Sequence, residues 1–113
     1  QSHELAQFIK QELDGYKGQP PSDRAVRLSY FDYGGQIIKG LDQYSIYPLG
    51  TGIRKLELHL KNGLTLILPE QVLIFLSKNA GREVDRGHIS PTEINQLLEN
   101  IRNLVSKKLK SMG

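Results

Sequence analysis

Apolar and polar residues alternate most regularly between positions 53 and 76, and that stretch predicts the centre of the fold. Leu56, Leu58 and Leu60 alternate with Lys55, Glu57 and His59, and Leu64, Leu66 and Leu68 repeat the pattern after Lys61-Asn62-Gly63. A period of two reads as a pair of half-buried strands. A two-residue turn at Asn62-Gly63 would set the two leucine rows on opposite faces. A three-residue loop pairs Leu60 with Leu64, Leu58 with Leu66 and Leu56 with Leu68, so that all six share one face, and it puts Gly63 at the left-handed position such loops need. The three-residue loop is the expected register, since a slip of one residue would expose half of this core.

The same patterning predicts the other elements. Leu5, Phe8, Ile9 and Leu13 fall on one side of a helix over residues 4–17, closed by Gly15 and Gly18. Gln19-Pro20-Pro21-Ser22-Asp23 is a stiff turn. The helix before it is expected to pack across a sheet face rather than stand apart as an arm, because four large apolar side chains need burial. Residues 25–32 read as a strand with Val26, Leu28 and Tyr30 on one face and Arg27, Ser29 and Phe31 on the other, and Tyr33-Gly34-Gly35 turns the chain. Residues 36–47 read as a second extended stretch, broken near Gly40 and Asp42, with Tyr44 and Ile46 facing one way and Tyr47 the other. Pro69 suits the first turn of a helix reaching about Lys78 and stopped by Asn79 and Gly81. The run Val72-Leu73-Ile74-Phe75-Leu76 leaves that helix little polar face and predicts burial on more than one side. Residues 82–88 read as a charged connector. Ser90-Pro91-Thr92-Glu93 is a strong helix start, with Ser90 as cap, Pro91 in the first turn and Glu93 as capping-box partner. From there Ile94, Leu97, Leu98, Ile101, Leu104, Val105 and Leu109 carry an apolar stripe to about Ser111.

The expected fold is therefore α+β: an antiparallel four-stranded meander sheet flanked by an N-terminal helix and two C-terminal helices, with the helices mostly on one face. At 113 residues the chain reads as a single domain, 1–113. Gln1-Ser2-His3 is readable as a cloning or cleavage scar, so His3 is set aside from site reasoning, and the chain is also readable as a piece excised from a larger protein.

Charge adds one asymmetry. The net charge is +3 and the pI is near 9.2. Residues 1–51 carry five Lys/Arg against six Asp/Glu, and residues 52–113 carry ten against six. A basic C-terminal half permits an anionic partner without requiring one. The absence of cysteine excludes disulfides, thiolate catalysis and Cys-based zinc sites. It agrees with a reducing, cytoplasmic location. No apolar run reaches the roughly 18 residues of a membrane span, and no signal-peptide pattern is present, so no membrane is expected among the partners.

Candidate chemistry is sparse. His59 sits beside Glu57 and Lys61 on the polar side of its segment, and His88 lies near Asp85. A metal needs three or four converging ligands, so neither a metal nor another cofactor is expected. There is no nucleophile elbow, and Asp32, Asp42 and Asp85 stand where turns ordinarily use aspartate. Gly50-Thr51-Gly52-Ile53-Arg54-Lys55 has the look of a phosphate loop, but it lacks the Walker spacing and is expected to enter a strand, not a helix N-terminus.

Two features point to binding. Arg27, Phe31 and Tyr47, with Lys55 nearby, fall on the outer sheet face, where aromatic rings beside cations can stack single-stranded bases. The competing expectation is that a helix covers this face and makes Phe31 and Tyr47 a second small core. Arg102, Lys107, Lys108 and Lys110 crowd the end of the last helix, where they could track phosphates or an acidic protein surface. The plainer reading is that they complement the helix dipole. A five-residue strand spans only about 17 Å, so the far end of the long apolar stripe is expected to meet another subunit. The expected function is a non-enzymatic binding or regulatory module acting through a protein partner or as a homodimer. The second reading is a nucleic-acid-binding domain using the Arg27/Phe31/Tyr47/Lys55 face and the basic last helix.

Overall fold

The computed structural model describes residues 2–112. In chain order the elements are α1 (Ser2–Asp14), a 3₁₀ turn (Ser22–Arg24), β1 (Ala25–Arg27), β2 (Ser29–Phe31), β3 (Ile37–Ile38), a second 3₁₀ turn (Asp42–Tyr44), β4 (Ile46–Pro48), α2 (Ile53–Leu58), β5 (Leu64–Leu66), α3 (Glu70–Ala80), β6 (Arg86–Ile89) and α4 (Pro91–Met112). The class is α+β with a four-stranded antiparallel sheet, an N-terminal helix and C-terminal helices, as the patterning predicts. The strand order, β3-β2-β6-β5, is not that of a meander, and β1 pairs with β4 in a separate two-stranded ladder.

The predicted leucine hairpin does not form. Residues 53–58 are helical, and β5 pairs with β6 instead, Leu64 opposite Ile89 and Leu66 opposite Gly87. The segment Ile53-Arg54-Lys55-Leu56-Glu57-Leu58 is built almost wholly of strong helix formers. Its Ile53–Leu56 spacing also suits a helical face. Leu56 is fully buried while Leu58 is 78 % exposed, so the alternation of leucines was incidental to burial. Gly63 does adopt a positive φ, +78°, as the hairpin required. Here it closes the turn after α2, donating its N–H to the His59 carbonyl at 2.8 Å.

The strand missing from the hairpin comes from the supposed connector. β6 lies between β2 and β5, so its backbone is satisfied on both sides. Its inward positions are Gly87 and Ile89. Gly87 lacks a side chain because Leu28 and Tyr30 close over it, within 3.6 Å of where a Cβ would stand. With one of two inward side chains absent, the strand has almost no apolar signature.

The segment 25–32 keeps its predicted alternation, and Val26, Leu28 and Tyr30 are all buried. It divides at Leu28, whose N–H donates to Ser45 O at 2.7 Å, so that β1 serves one sheet and β2 the other. The stretch 36–47 divides at the predicted break into β3 and β4. α3 ends at Gly81 in the left-handed conformation, as its stop signal predicts. Contrary to its expected burial on several sides, only Leu76 of this helix is buried, and Ile74 is 60 % exposed. In α4 the Ser90 hydroxyl accepts the Glu93 N–H at 3.2 Å, but the Glu93 carboxylate turns away to accept the Arg27 N–H at 2.9 Å. The capping box is thereby half closed, and its acidic member ties α4 to β1. Burial then declines along α4, from Ile94, Leu97, Leu98 and Ile101 in the core, through Leu104 and Val105, to Leu109 at 50 % exposure.

Candidate functional site

The N-terminal helix is held in place by a buried ion pair. Arg24 and Glu12 are each 1 % exposed. The guanidinium donates to the Glu12 carboxylate from Nε at 3.1 Å and from Nη2 at 2.7 Å, and Nη2 also donates to the Glu12 carbonyl at 3.1 Å. Nη1 donates to the carbonyls of Leu49, at 3.3 Å, and Thr51. The Tyr16 hydroxyl donates to the other oxygen of Glu12, and the guanidinium lies 5.1 Å from the Tyr16 ring centre. Burial, then the hydrogen bond to Glu12 and its charge, push the Tyr16 hydroxyl above the ordinary tyrosine range. A buried charge is tolerated only when its hydrogen-bonding capacity is met, and here the partners come from α1, the first 3₁₀ turn and the loop before α2. The cluster therefore ties α1 to residues 49–51.

Two concave surfaces result, one on each side of α1. The first is an apolar groove of about 380 Å³ between α1, α2 and the outer half of α4, floored by Ile9, Leu13, Ile53, Ile101, Val105 and Leu109. The second is a wider cleft of about 1100 Å³ between α1 and the β4–α2 loop, lined by Lys10, Lys17, Lys55, Tyr16 and Tyr47 among others. The helical repeat explains the division. Leu5, Ile9 and Leu13 follow one row of α1, and Ala6, Lys10 and Asp14 follow another.

The eight residues singled out from the sequence are dispersed among these surfaces. Tyr47 and Lys55 both line the cleft. Arg27 lies on β1, with Nη1 donating to Ser45 Oγ at 2.8 Å. Phe31 is on the other sheet, half-buried, with Arg86 5.9 Å from its ring centre and His88 edge-on at 6.2 Å. The expected Arg27/Phe31/Tyr47/Lys55 face is therefore not one surface: the division of the strand at Leu28 separates Phe31 from Arg27, and Lys55 is helical. Arg102 lines the apolar groove and pairs weakly with Glu99 at 3.5 Å. Lys110 continues the Arg102–Ser106 row along the groove. Lys108 borders its other side, with Nζ 4.7 Å from the Phe8 ring centre, and Lys107 lies on the opposite side of α4 by helical spacing.

Other candidates have structural partners. His88 shares a hydrogen bond with Thr65 Oγ1 at 3.0 Å. Asp32 is paired with Arg82 at 2.6 Å and Asp85 with Arg86 at 2.7 Å. Among the described residues no three His, Asp or Glu side chains gather closely enough to hold a metal, and no helix is long and apolar enough to cross a membrane. The Gly50-Thr51-Gly52 loop enters helix α2 rather than the expected strand, with Gly52 buried against the backbone of residues 13–15.

The groove and the cleft were hidden because their residues come from distant segments. The signal for the groove was present in part, since Val105 and Leu109 belong to the α4 stripe that is longer than the sheet can cover, and Ile9 and Leu13 to the apolar row of α1. Lys10 and Lys17 carried no comparable signal. Set against known protein families, curated proteins and solved structures, the chain matches none.

Proposed function

We propose that this chain is a non-enzymatic binding module acting through protein–protein contact, and that the groove between α1 and α4 receives an acidic amphipathic helix of a partner protein. The observation that carries this reading is the apolar floor left open where α4 outruns the core, from buried Ile101 to half-exposed Leu109. From Ile101 to Leu109 is about 12 Å along the helix, or two turns, at 1.5 Å per residue. That suits anchors at i, i+3 or i+4, and i+7 of an incoming helix.

Charge selects the partner. Arg102 lines the groove, Lys108 and Lys110 flank Leu109 on the same end of α4, and the carboxylate that reaches the groove, Glu12, is already paired with Arg24. A second copy is a poor match, since the chain is net positive and α3, with Val72, Ile74 and Phe75 exposed, carries Glu70 and Lys78 in balance. Two or three leucine-sized anchors at about 2 kcal/mol each give about 4–6 kcal/mol; with the cost of association set against them, the expected binding is weak, with a Kd no tighter than tens of micromolar.

The test is fluorescence anisotropy with a labelled synthetic helix bearing leucines at that spacing and glutamates elsewhere. Saturable binding is expected, weakened at least tenfold by Val105→Asp, with no binding of a lysine-substituted peptide of the same apolar pattern. Light scattering on the protein alone supplies the counter-test. A stable dimer that Val105→Asp dissociates would assign the groove to self-association and overturn the acidic-helix reading.

A further inference from the structure

We propose that the cleft on the other side of α1 binds single-stranded nucleic acid. This site shares no lining residue with the apolar groove apart from the body of α1, and the inference is independent of that groove's occupant.

The cleft brings together Lys10 from α1, Lys17 from the turn after it and Lys55 from α2. Among the described residues none of the three makes an ion pair. Among the described residues the only carboxylate in the lining is Asp14, which forms an exposed pair with Arg54 at 3.5 Å. The cleft is therefore net cationic, three lysines against one carboxylate that is shared with Arg54. An anionic ligand would be attracted to it and would displace no existing salt bridge of these lysines.

The rest of the lining narrows the class of anion. Tyr16 and Tyr47 stand among the lysines, and Leu66 and Pro48 extend the apolar part of the wall. The Tyr16 hydroxyl is occupied by Glu12, so that residue offers the cleft a ring and not a donor. Rings beside unpaired lysines are what a single-stranded polynucleotide uses: bases stack on aromatic side chains and phosphates meet the cations. Stacked bases inside a duplex cannot reach such rings. Size points the same way. At about 1100 Å³ the cleft is at or beyond the upper end of single small-ligand sites, roughly 1,000 Å³, and open enough for a polymer segment to enter and leave. The arrangement differs from the sheet-face reading of the sequence. Tyr47 and Lys55 belong to it, while Arg27 and Phe31 do not, and Lys10, Lys17 and Tyr16 complete it.

The experiment is anisotropy titration of a fluorescein-labelled oligothymidylate with the full chain at several salt concentrations. Three phosphate contacts predict a log–log salt slope of about −2, at about 0.7 per contact for single strands. Lys17→Ala and Lys55→Ala, both at exposed side chains, are each expected to weaken binding several-fold and to flatten the slope by about 0.7. Tyr47→Ala is expected to weaken binding roughly tenfold with the slope unchanged, because it removes stacking and not charge. Melting temperatures of the variants separate loss of binding from loss of fold, and the two lysine variants keep the test intact should Tyr47→Ala unfold. Val105→Asp, in the apolar groove, is expected to leave oligonucleotide binding unchanged, so the two readings fail separately. The proposal is overturned by an absence of saturable binding at low salt. It is equally overturned if the cleft variants bind normally while Lys107→Ala/Lys110→Ala abolishes binding. A poly-glutamate chain that competes as well as the oligonucleotide, with Tyr47→Ala silent, would instead assign the cleft to an acidic protein.

Discussion

Replacing Arg24 by methionine removes the one buried cation among the described residues while keeping much of its length. Five hydrogen bonds go with the guanidinium: three to Glu12 and one each to the carbonyls of Leu49 and Thr51. Glu12 remains at 1 % exposure with the Tyr16 hydroxyl as its side-chain donor. Removing one partner of a buried pair costs about 3–5 kcal/mol, whereas an exposed pair such as Arg102–Glu99 contributes about 0–1 kcal/mol. Unfolding entropy of about 2.1 cal/mol/K per residue gives roughly 0.24 kcal/mol/K for 113 residues, so a loss of about 4 kcal/mol lowers Tm by about 17 °C. Urea and thermal unfolding followed by far-ultraviolet circular dichroism measure both quantities. Glu12→Leu is expected to cost a similar amount, and the double variant Arg24→Met/Glu12→Leu to recover much of the loss, because apolar side chains can replace a matched buried pair at little net cost. An Arg24→Met protein within about 1 kcal/mol of the parent, the range of an exposed pair, would refute the view that this cluster pins α1. Because α1 forms a wall of both the groove and the cleft, the same variant is expected to weaken binding at both.

Two further outcomes follow from local geometry. A Cβ on Gly63 would fall on the Ile89 carbonyl and the His88 ring at φ +78°, whereas a Cβ on Gly81, at φ +69°, would meet nothing within 4 Å. Gly81→Ala should therefore cost about 1–2 kcal/mol, the left-handed penalty, and Gly63→Ala about 3 kcal/mol once overpacking is added; equal shifts in the urea midpoint would contradict the contact. Tyr16, its hydroxyl raised by burial and then by Glu12, keeps its proton in the folded state where the unfolded chain has lost it. Above the ordinary tyrosine value of 10.0 the unfolded state therefore binds fewer protons, and stability, fully present below that pH, falls as pH rises toward the folded-state value. Tyr16→Phe should show a shallower decline, with a remainder of the same sign from Tyr30, which burial also raises; parallel curves for the two proteins would rule out the Tyr16 contribution.

The sequence by itself determined the elements whose signals are local. α4 starts where Ser90 and Pro91 announce it, α3 stops at Gly81, and Val26, Leu28 and Tyr30 share a buried face. Caps, breakers and a period of two act within a few residues, so they can be read along the chain. What the sequence could not decide was which segments pair. Leu56-Glu57-Leu58-His59-Leu60 satisfies a strand pattern and still folds as helix and turn, because its residues favour helix and only Leu56 and its neighbours on that face find a core to enter. Arg86-Gly87-His88-Ile89 shows no strand pattern and still becomes a central strand, because Gly87 leaves room for Leu28 and Tyr30. Candidate sites share this dependence. The stripe on α4 was legible, but the groove beneath it needs Ile9, Leu13 and Ile53. Tyr47 and Lys55 were legible, but their joining with Lys10 and Lys17 follows from Arg24 reaching across to Glu12, Leu49 and Thr51. Secondary structure reports the energy of a few adjacent residues, whereas strand order and concave surfaces report the burial available between segments far apart in the chain, and only the folded core sets that.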